Sequence, residues 1–332
     1  MARTRSIVVA SALGVLTASP ALAGDPKILP TESEVKREVE KKPSPWDPSL
    51  VFGLNVALST ATNVVGQPHG SSISGGLSLQ AGLDFVEDAI DWRNVLKINE
   101  VYSRTPIVDE FVKSTDVLTF ESTLYYLLSD IFGPFATFKL DTAIFSGHDV
   151  RPAPVDYALG GETIATATTS IKLTDPFQPL SLKEAVGVFI GPLSKPELEV
   201  DIRAGFGAIQ TFAEGGRVVT DDAATPAIEL SLLEDVIQAG AVLGVEAKGV
   251  LDDKRVVYSA HAEVMFPVVN DDPAERDVID LTNVDIGAKL GFKLFEFASL
   301  DYELKIFRQP QLIDAWQIQN TLFLNFKFTA IE

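Results

Sequence analysis

The chain contains no cysteine, so neither a disulfide framework nor a thiolate metal site is available to hold it together. Outside the N-terminus it has no apolar run long enough to form a membrane-spanning helix. Basic residues are in short supply, with 27 Lys and Arg against 46 Asp and Glu and a formal net charge of −19. That balance argues against a nucleic-acid groove, which needs a basic surface. No glycine-rich phosphate loop follows a strand and opens a helix. The acidic pairs Asp221-Asp222 and Asp271-Asp272 lack the spacing of a dedicated calcium loop and read as solvated loop charges. No cofactor and no metal are therefore expected. Histidine is scarce as well, with only His69, His148 and His261 available as a catalytic base.

What is present is one pattern written many times. Asp285 to Lys293 reads D-I-G-A-K-L-G-F-K, which sets Ile286, Ala288, Leu290 and Phe292 on one face and Asp285, Gly287, Lys289, Gly291 and Lys293 on the other. Side chains alternate faces along a strand, so this segment has one apolar and one wet, charged face. Such a strand recurs about twelve times, with short turns and longer polar loops alternating between the copies. The expected fold is all-β: a transmembrane antiparallel up-and-down β-barrel of about twelve strands, apolar toward lipid and polar toward the lumen. A soluble exported β-sandwich or lipocalin-like barrel is the structural alternative, with its apolar face turned inward.

The first 23 residues have the parts of an export signal: Arg3 and Arg5, the apolar stretch Ile7 to Leu16, and Ala21-Leu22-Ala23 before Gly24. Residues 24–45 are charged and proline-bounded and read as a flexible periplasmic tail. The barrel is expected over 46–332, in a bacterial outer membrane.

Strands are predicted near Leu50–Ser59, Ser72–Phe85, Trp92–Tyr102, Ser114–Tyr126, Pro134–Phe145, Leu182–Ile190, Glu197–Phe212, up to Leu251, from Val256, Leu281–Leu294, Ala298–Phe307 and Ile313–Phe328. Connections after even-numbered strands are short and those after odd-numbered strands are longer, which places both termini on the periplasmic side. The longest connection, Gly147 to Ser181, reads as a loop that folds inward as a constriction. Aromatic residues fall at two levels: Trp46, Trp92, Tyr126, Phe295 and Phe328 at the periplasmic end, and Tyr102, Phe145, Phe212, Phe266, Phe307 and Trp316 at the outer end. Two such girdles are expected at the interfaces of a membrane barrel, although aromatics are favoured in any sheet.

The wet face supplies the candidate site. Lumen-lining residues are Lys139 and Asp141 on the fifth strand, Glu199, Asp201 and Arg203 on the seventh, and Glu246 and Lys248 on the eighth. His261 and Glu263 follow on the ninth, Asp285, Lys289 and Lys293 on the tenth, and Asp301, Glu303 and Lys305 on the eleventh. With Asp84, Arg93, Lys97 and Glu121, the inward charges number ten acids and eight bases. So many charges must either pair with one another or line water. Mixed signs suit a narrow pore of weak ion selectivity or a closed lumen, because single-sign rings are absent. Ser259, His261 and Glu263 share a face at i, i+2 and i+4, but same-face neighbours lie roughly 7 Å apart along a strand. That is too far for the hydrogen-bond relay a nucleophile needs. A non-enzymatic barrel is the expectation, and a lipid-modifying hydrolase ranks last.

Several stretches carry a resemblance. They are Trp46 with F-G-L-N-V-A-L-S at 52–59, G-G-L-S-L-Q-A-G at 75–82, W-R-N-V-L-K at 92–97, K-S-T-D at 113–116, D-V-I-D-L-T-N-V-D at 277–285, and Q-N-T-L-F-L-N-F-K-F at 319–328. From Trp46 to Phe328 the chain resembles an uncharacterised family of Gram-negative outer-membrane β-barrels, a domain of unknown function, near the salt-induced outer-membrane barrels. The resemblance implies no site residue and no activity. The export signal and the repeated two-faced strands imply insertion by the barrel-assembly machinery and contact with outer-membrane lipid and lipopolysaccharide, and the acidic balance implies no nucleic-acid partner. Many such chains end on an aromatic residue, whereas here Thr329-Ala330-Ile331-Glu332 follows Phe328.

Overall fold

The structure, a computed structural model, describes residues 44–61, 70–108, 110–195, 197–220, 225–252, 255–272, 274–295 and 297–331. The export segment, the tail up to residue 43 and the loop containing His69 lie outside these.

Sixteen strands are present among the described residues, and twelve of them close a barrel. Around the wall these are β1 (Trp46–Ala61), β2 (Gly70–Glu87), β3 (Ile90–Arg104), β4 (Val112–Tyr126), β5 (Phe132–Thr142), β8 (Leu180–Lys195), β9 (Leu198–Phe212), β12 (Val236–Leu251), β13 (Val256–Asn270), β14 (Asn283–Phe295), β15 (Ala298–Gln309) and β16 (Ile313–Ile331). Each pairs antiparallel with the next, and β1 closes on β16 with Phe52 opposite Phe328 and Leu54 opposite Phe326. Closure leaves no edge strand, so every barrel strand has a hydrogen-bonding partner on both sides. The start of β1 and the end of β16 lie at one rim, called here the turn end because β2–β3, β4–β5, β8–β9, β12–β13 and β14–β15 connect there through short turns. The opposite rim is the loop end.

The outer face is apolar and exposed. Phe52, Leu54, Leu77, Val186, Val188, Phe206, Leu243 and Leu322 all project outward around the circumference. A soluble protein does not leave such a continuous apolar band in water. A closed barrel carrying one is built to stand in lipid, where every backbone group is satisfied by the sheet. At the turn end Trp46, Trp92, Tyr126 and Phe295 are exposed, and the Trp46 ring lies 4.9 Å from Phe85 and 6.1 Å from Trp92. At the loop end Tyr102, Phe145, Phe212, Phe266 and Trp316 are exposed. Phe307 departs from the expected outer girdle. It points inward at 2% exposure with the Lys305 ammonium 5.2 Å from its ring centre, because it shares the interior face of β15 with Asp301, Glu303 and Lys305.

The long connections depart further. Residues 147–181 do not form an inward loop: β6 (Gly147–Leu159) and β7 (Glu162–Thr174) make a hairpin, and β10 (Arg217–Val219) and β11 (Ile228–Leu232) join it as a separate sheet in the order β10-β11-β6-β7. The β11–β6 pairing is parallel, with Ile228 opposite Tyr157 and Leu230 opposite Leu159. This outer sheet has its own core of Tyr157, Leu173 and Leu230, with Val155, Ile171 and Val219 packed against it. Its apolar residues alternate, but Pro152 and Pro154 and the register shifts between Val150 and Ala158 interrupt the pattern on β6. Two barrel strands also differ in length from expectation. Gly191 to Lys195 continue β8 past a register shift between Ile190 and Leu193 instead of forming a turn. β5 stops at Thr142, and Asp116 then holds the departing chain by accepting from the N–H of Ile144 (2.7 Å) and Phe145 (2.9 Å).

Candidate functional site

The barrel interior holds two different environments. Against β3, β4, β5, β8, β9 and β12 it is filled. At the loop end of that wall the Asp141 carboxylate accepts from Lys183 Nζ at 3.0 Å and Thr119 Oγ1 at 2.7 Å, with Lys139 Nζ at 3.7 Å. Lys183 and Asp141 are both at 0% exposure. Lower on the wall Arg203 Nη1 lies 3.6 Å from Glu246 Oε2, both buried, and the buried Asp201 stands beside Glu246 in register. Lys248 and Glu199 pair at 3.5 Å nearer the turn end. Arg93 grips Asp91 with two parallel bonds, Nε to Oδ1 at 2.6 Å and Nη2 to Oδ2 at 2.5 Å. Such fork-to-fork pairing is the strong form of the contact.

Between these ions lies an apolar cluster: Tyr125, Phe135, Ala185, Phe189, Ile209, Val242 and Met265, with Leu127 packed against it. The Tyr125 and Phe189 rings meet edge to face at 5.1 Å. Gly187 and Gly205 oppose one another on β8 and β9, and a Cβ at either would stand 2.2 Å from a carbonyl oxygen of the neighbouring strand. Only glycine permits that approach.

The second environment lines β14, β15, β16, β1 and β2. Lys289 and Glu303 pair across β14 and β15 at 3.2 Å, yet their side chains are 55% and 38% exposed. Gln80, on the interior face of β2 opposite Val51 and Lys97, is also exposed. Asp301 accepts from Ser299 Oγ at 3.1 Å and Asn325 Nδ2 at 2.6 Å. Lys293 is exposed near the turn end, and Lys305 lies half-buried over Phe307. Above Lys289, toward the loop end, the interior closes again: Asn283 Nδ2 donates to Gln238 Oε1 at 2.7 Å, and Met265, Phe307 and Gln309 are buried around them. Arg276 in the loop above bonds Asp272 through Nη2 at 2.7 Å and reaches the Pro310 carbonyl at 3.4 Å. The Arg276 guanidinium holds the Asp272 carboxyl below the usual carboxylate range.

His261 lies between the two environments. Its Nε2 is 3.4 Å from Asp285 Oδ1 across the sheet, and its ring packs on Gly287, where a Cβ would come within 2.2 Å. Glu263 is buried opposite Asp285. No hydrogen bond joins Ser259 Oγ to the imidazole among the described residues, so the arrangement orients a base but supplies it no nucleophile. No three histidine, aspartate or glutamate side chains converge as a metal site among the described residues. Asp221 and Asp222 lie outside them, and Asp271 accepts from the Ile237 N–H.

Interior charges absent from the sequence reading include, among the described residues, Lys183, Asp91 and Asp47. The signal for Lys183 is ambiguous because β8 has Glu184 on its apolar face and Phe189 on its polar one. Asp91 falls in a segment that reads as a turn.

No family model matches the chain, and no curated protein is similar to it in sequence. Several solved structures align with the chain over most of its length. The translocator domain of the autotransporter NalP from Neisseria meningitidis aligns at 9% identity and a TM-score of 0.38, covering 87% of this chain and 90% of that one. An outer-membrane channel from Pseudomonas putida F1 aligns at 11% identity and a TM-score of 0.42, covering 89% and 98%. A FadL homologue from Pseudomonas aeruginosa aligns at 11% identity and a TM-score of 0.37, covering 86% and 79%. These likenesses are of barrel to barrel and extend to nothing finer.

Proposed function

We propose that the chain is a Gram-negative outer-membrane barrel that passes small solutes along one side of its interior, without catalysis. The turn end faces the periplasm, as in bacterial barrels whose short turns and termini share one side. The outer sheet then stands outside the cell, against lipopolysaccharide. The export signal, the periplasmic tail and insertion by the barrel-assembly machinery belong to the same reading.

One observation carries it. The interior side chains of Gln80 on β2, Lys289 on β14 and Glu303 on β15 are open to water, whereas Asp141 on β5 and Lys183 on β8 are sealed. A barrel meant only as a scaffold has no need of wetted charges on one wall. The open wall bears Lys289, Lys293, Asp301 and Glu303, so the path has no strong preference for either sign. The acidic outer loops tilt it slightly toward cations.

Purified protein in planar bilayers is the test. A small, weakly cation-selective conductance is expected, and Gln80→Trp should lower it by half or more. If wild-type protein shows no conductance above background, even after the β6–β7 hairpin is removed, the pore reading fails and a closed surface-interaction barrel replaces it.

A further inference from the structure

At the loop end a crevice of about 340 Å³ opens between the outer sheet and the β15–β16 connection. Part of its wall is apolar: Val218 and Val219 of β10, Leu232 of β11, Leu233 and Leu312. Leu233 is buried with Ala213, and Val218 and Leu312 pack on that pair, so the floor is fixed by contact between sheet and barrel. Leu232 is 57% exposed, a large apolar side chain left facing the opening.

Its polar lining is Thr220, Ser231, Glu234 and Gln311, with no lysine, arginine or histidine among the described residues. Glu234 is exposed and makes no ion pair among the described residues. The Thr220 and Ser231 hydroxyls bond each other at 3.1 Å, leaving oxygen lone pairs toward solvent. Gln311 donates through Nε2 to Asp271, which fixes its amide. The crevice thus offers an apolar wall, acceptors and a free carboxylate. A volume of this size is in the range of small-molecule sites, in which a few polar groups fix orientation.

We infer that this crevice binds a small amphipathic cation, an aromatic or alkyl amine whose apolar body lies on Leu232, Val218 and Leu312 with its ammonium at Glu234. A carboxylate–ammonium contact beside an apolar wall is selective because an anion of the same shape would meet the like charge of Glu234 there. The inference goes beyond the conducting role and stands whether or not the barrel conducts.

The test uses the full chain in lipid nanodiscs and three isosteric fluorescent probes: 1-naphthylmethylamine, 1-naphthalenemethanol and 1-naphthoate. Saturable binding is expected in that order, with the amine favoured over the acid by about tenfold or more. Glu234→Gln should cut the amine's advantage to about threefold or less while leaving the alcohol unchanged. Because the chain has no cysteine, Leu232→Cys supplies a single thiol, and the amine should slow its reaction with a water-soluble maleimide. The retained shift in gel mobility on heating verifies that each variant is folded. Absence of saturable amine binding, a tenfold preference for the amine that survives Glu234→Gln, or a thiol labelled equally fast with and without amine would each overturn the site.

Discussion

The two walls of the barrel interior begin from one sequence pattern and end in different physical states. On β5 and β8, Lys183 and Asp141 are charged groups at 0% exposure, held by Thr119 and Lys139. On β14 and β15, Lys289 and Glu303 form a pair of similar length in water. Alternation decides only that a charge points inward. Whether it is dry depends on its neighbours, and here the aromatic rings of Tyr125, Phe135 and Phe189 fill one wall while the other is lined by small and amide side chains such as Ser299, Gln80 and Asn325. A buried pair cannot lose one member cheaply, and an exposed pair is worth little.

That contrast is broken most severely at Asp141. Asp141→Ala removes the carboxylate shared by two buried ammonium groups and should cost about 3–5 kcal/mol, the range for breaking a buried ion pair by deleting one partner. Glu303→Ala, on the open wall, should cost about 1 kcal/mol or less. Urea unfolding of the detergent-solubilised barrel measures both, and equal losses would erase the distinction. Phe189→Ala should cost about 3–5 kcal/mol through lost burial and a residual cavity, without changing the conductance of the opposite wall.

Smaller effects sharpen the comparison at the loop end. The Asp272 carboxyl is held low by Arg276, so its contribution is present above the ordinary carboxylate range and is lost as pH falls through its folded value. Protease cleavage within residues 274–282 should therefore rise as the pH is lowered toward 2, and Arg276→Ala should bring the same cleavage on at a higher pH. In the outer sheet, burial and the Asp149 carboxylate, which accepts from the hydroxyl at 2.8 Å, push the Tyr157 phenol up to about 12. Its raised value means that the sheet's stability is full below the usual tyrosine range near 10 and declines as pH rises toward 12. Tyrosinate absorbance at 295 nm, compared between wild type and Tyr157→Phe, should show this residue ionising last.

Most of the barrel was legible because strand alternation is a local signal. Ile286, Ala288, Leu290 and Phe292 show their facing within nine residues, and the loop lengths give the meander. What escaped was set at longer range. Lys183 was hidden because Glu184 and Phe189 reverse the polarity of β8's two faces. Phe307 reads as a girdle aromatic until its pairing opposite Asp285 turns it inward. The outer sheet depends on β11 joining β6 in parallel from about seventy residues away, a pairing for which sequence pattern carries no cue. The filled and open walls were equally invisible, since Asp141 and Glu303 occupy the same kind of position in the repeat.

The half-filled interior is tested most directly by single thiols in this cysteine-free chain. Gln80→Cys and Glu303→Cys place one on the open wall, and Thr123→Cys and Thr211→Cys place one on the filled wall at positions that are 2% exposed. In the folded, membrane-inserted protein, a water-soluble maleimide should modify positions 80 and 303 rapidly and leave 123 and 211 unmodified until the barrel is unfolded. Equal labelling of all four, or labelling at 123 and 211 ahead of 80 and 303, would contradict the account.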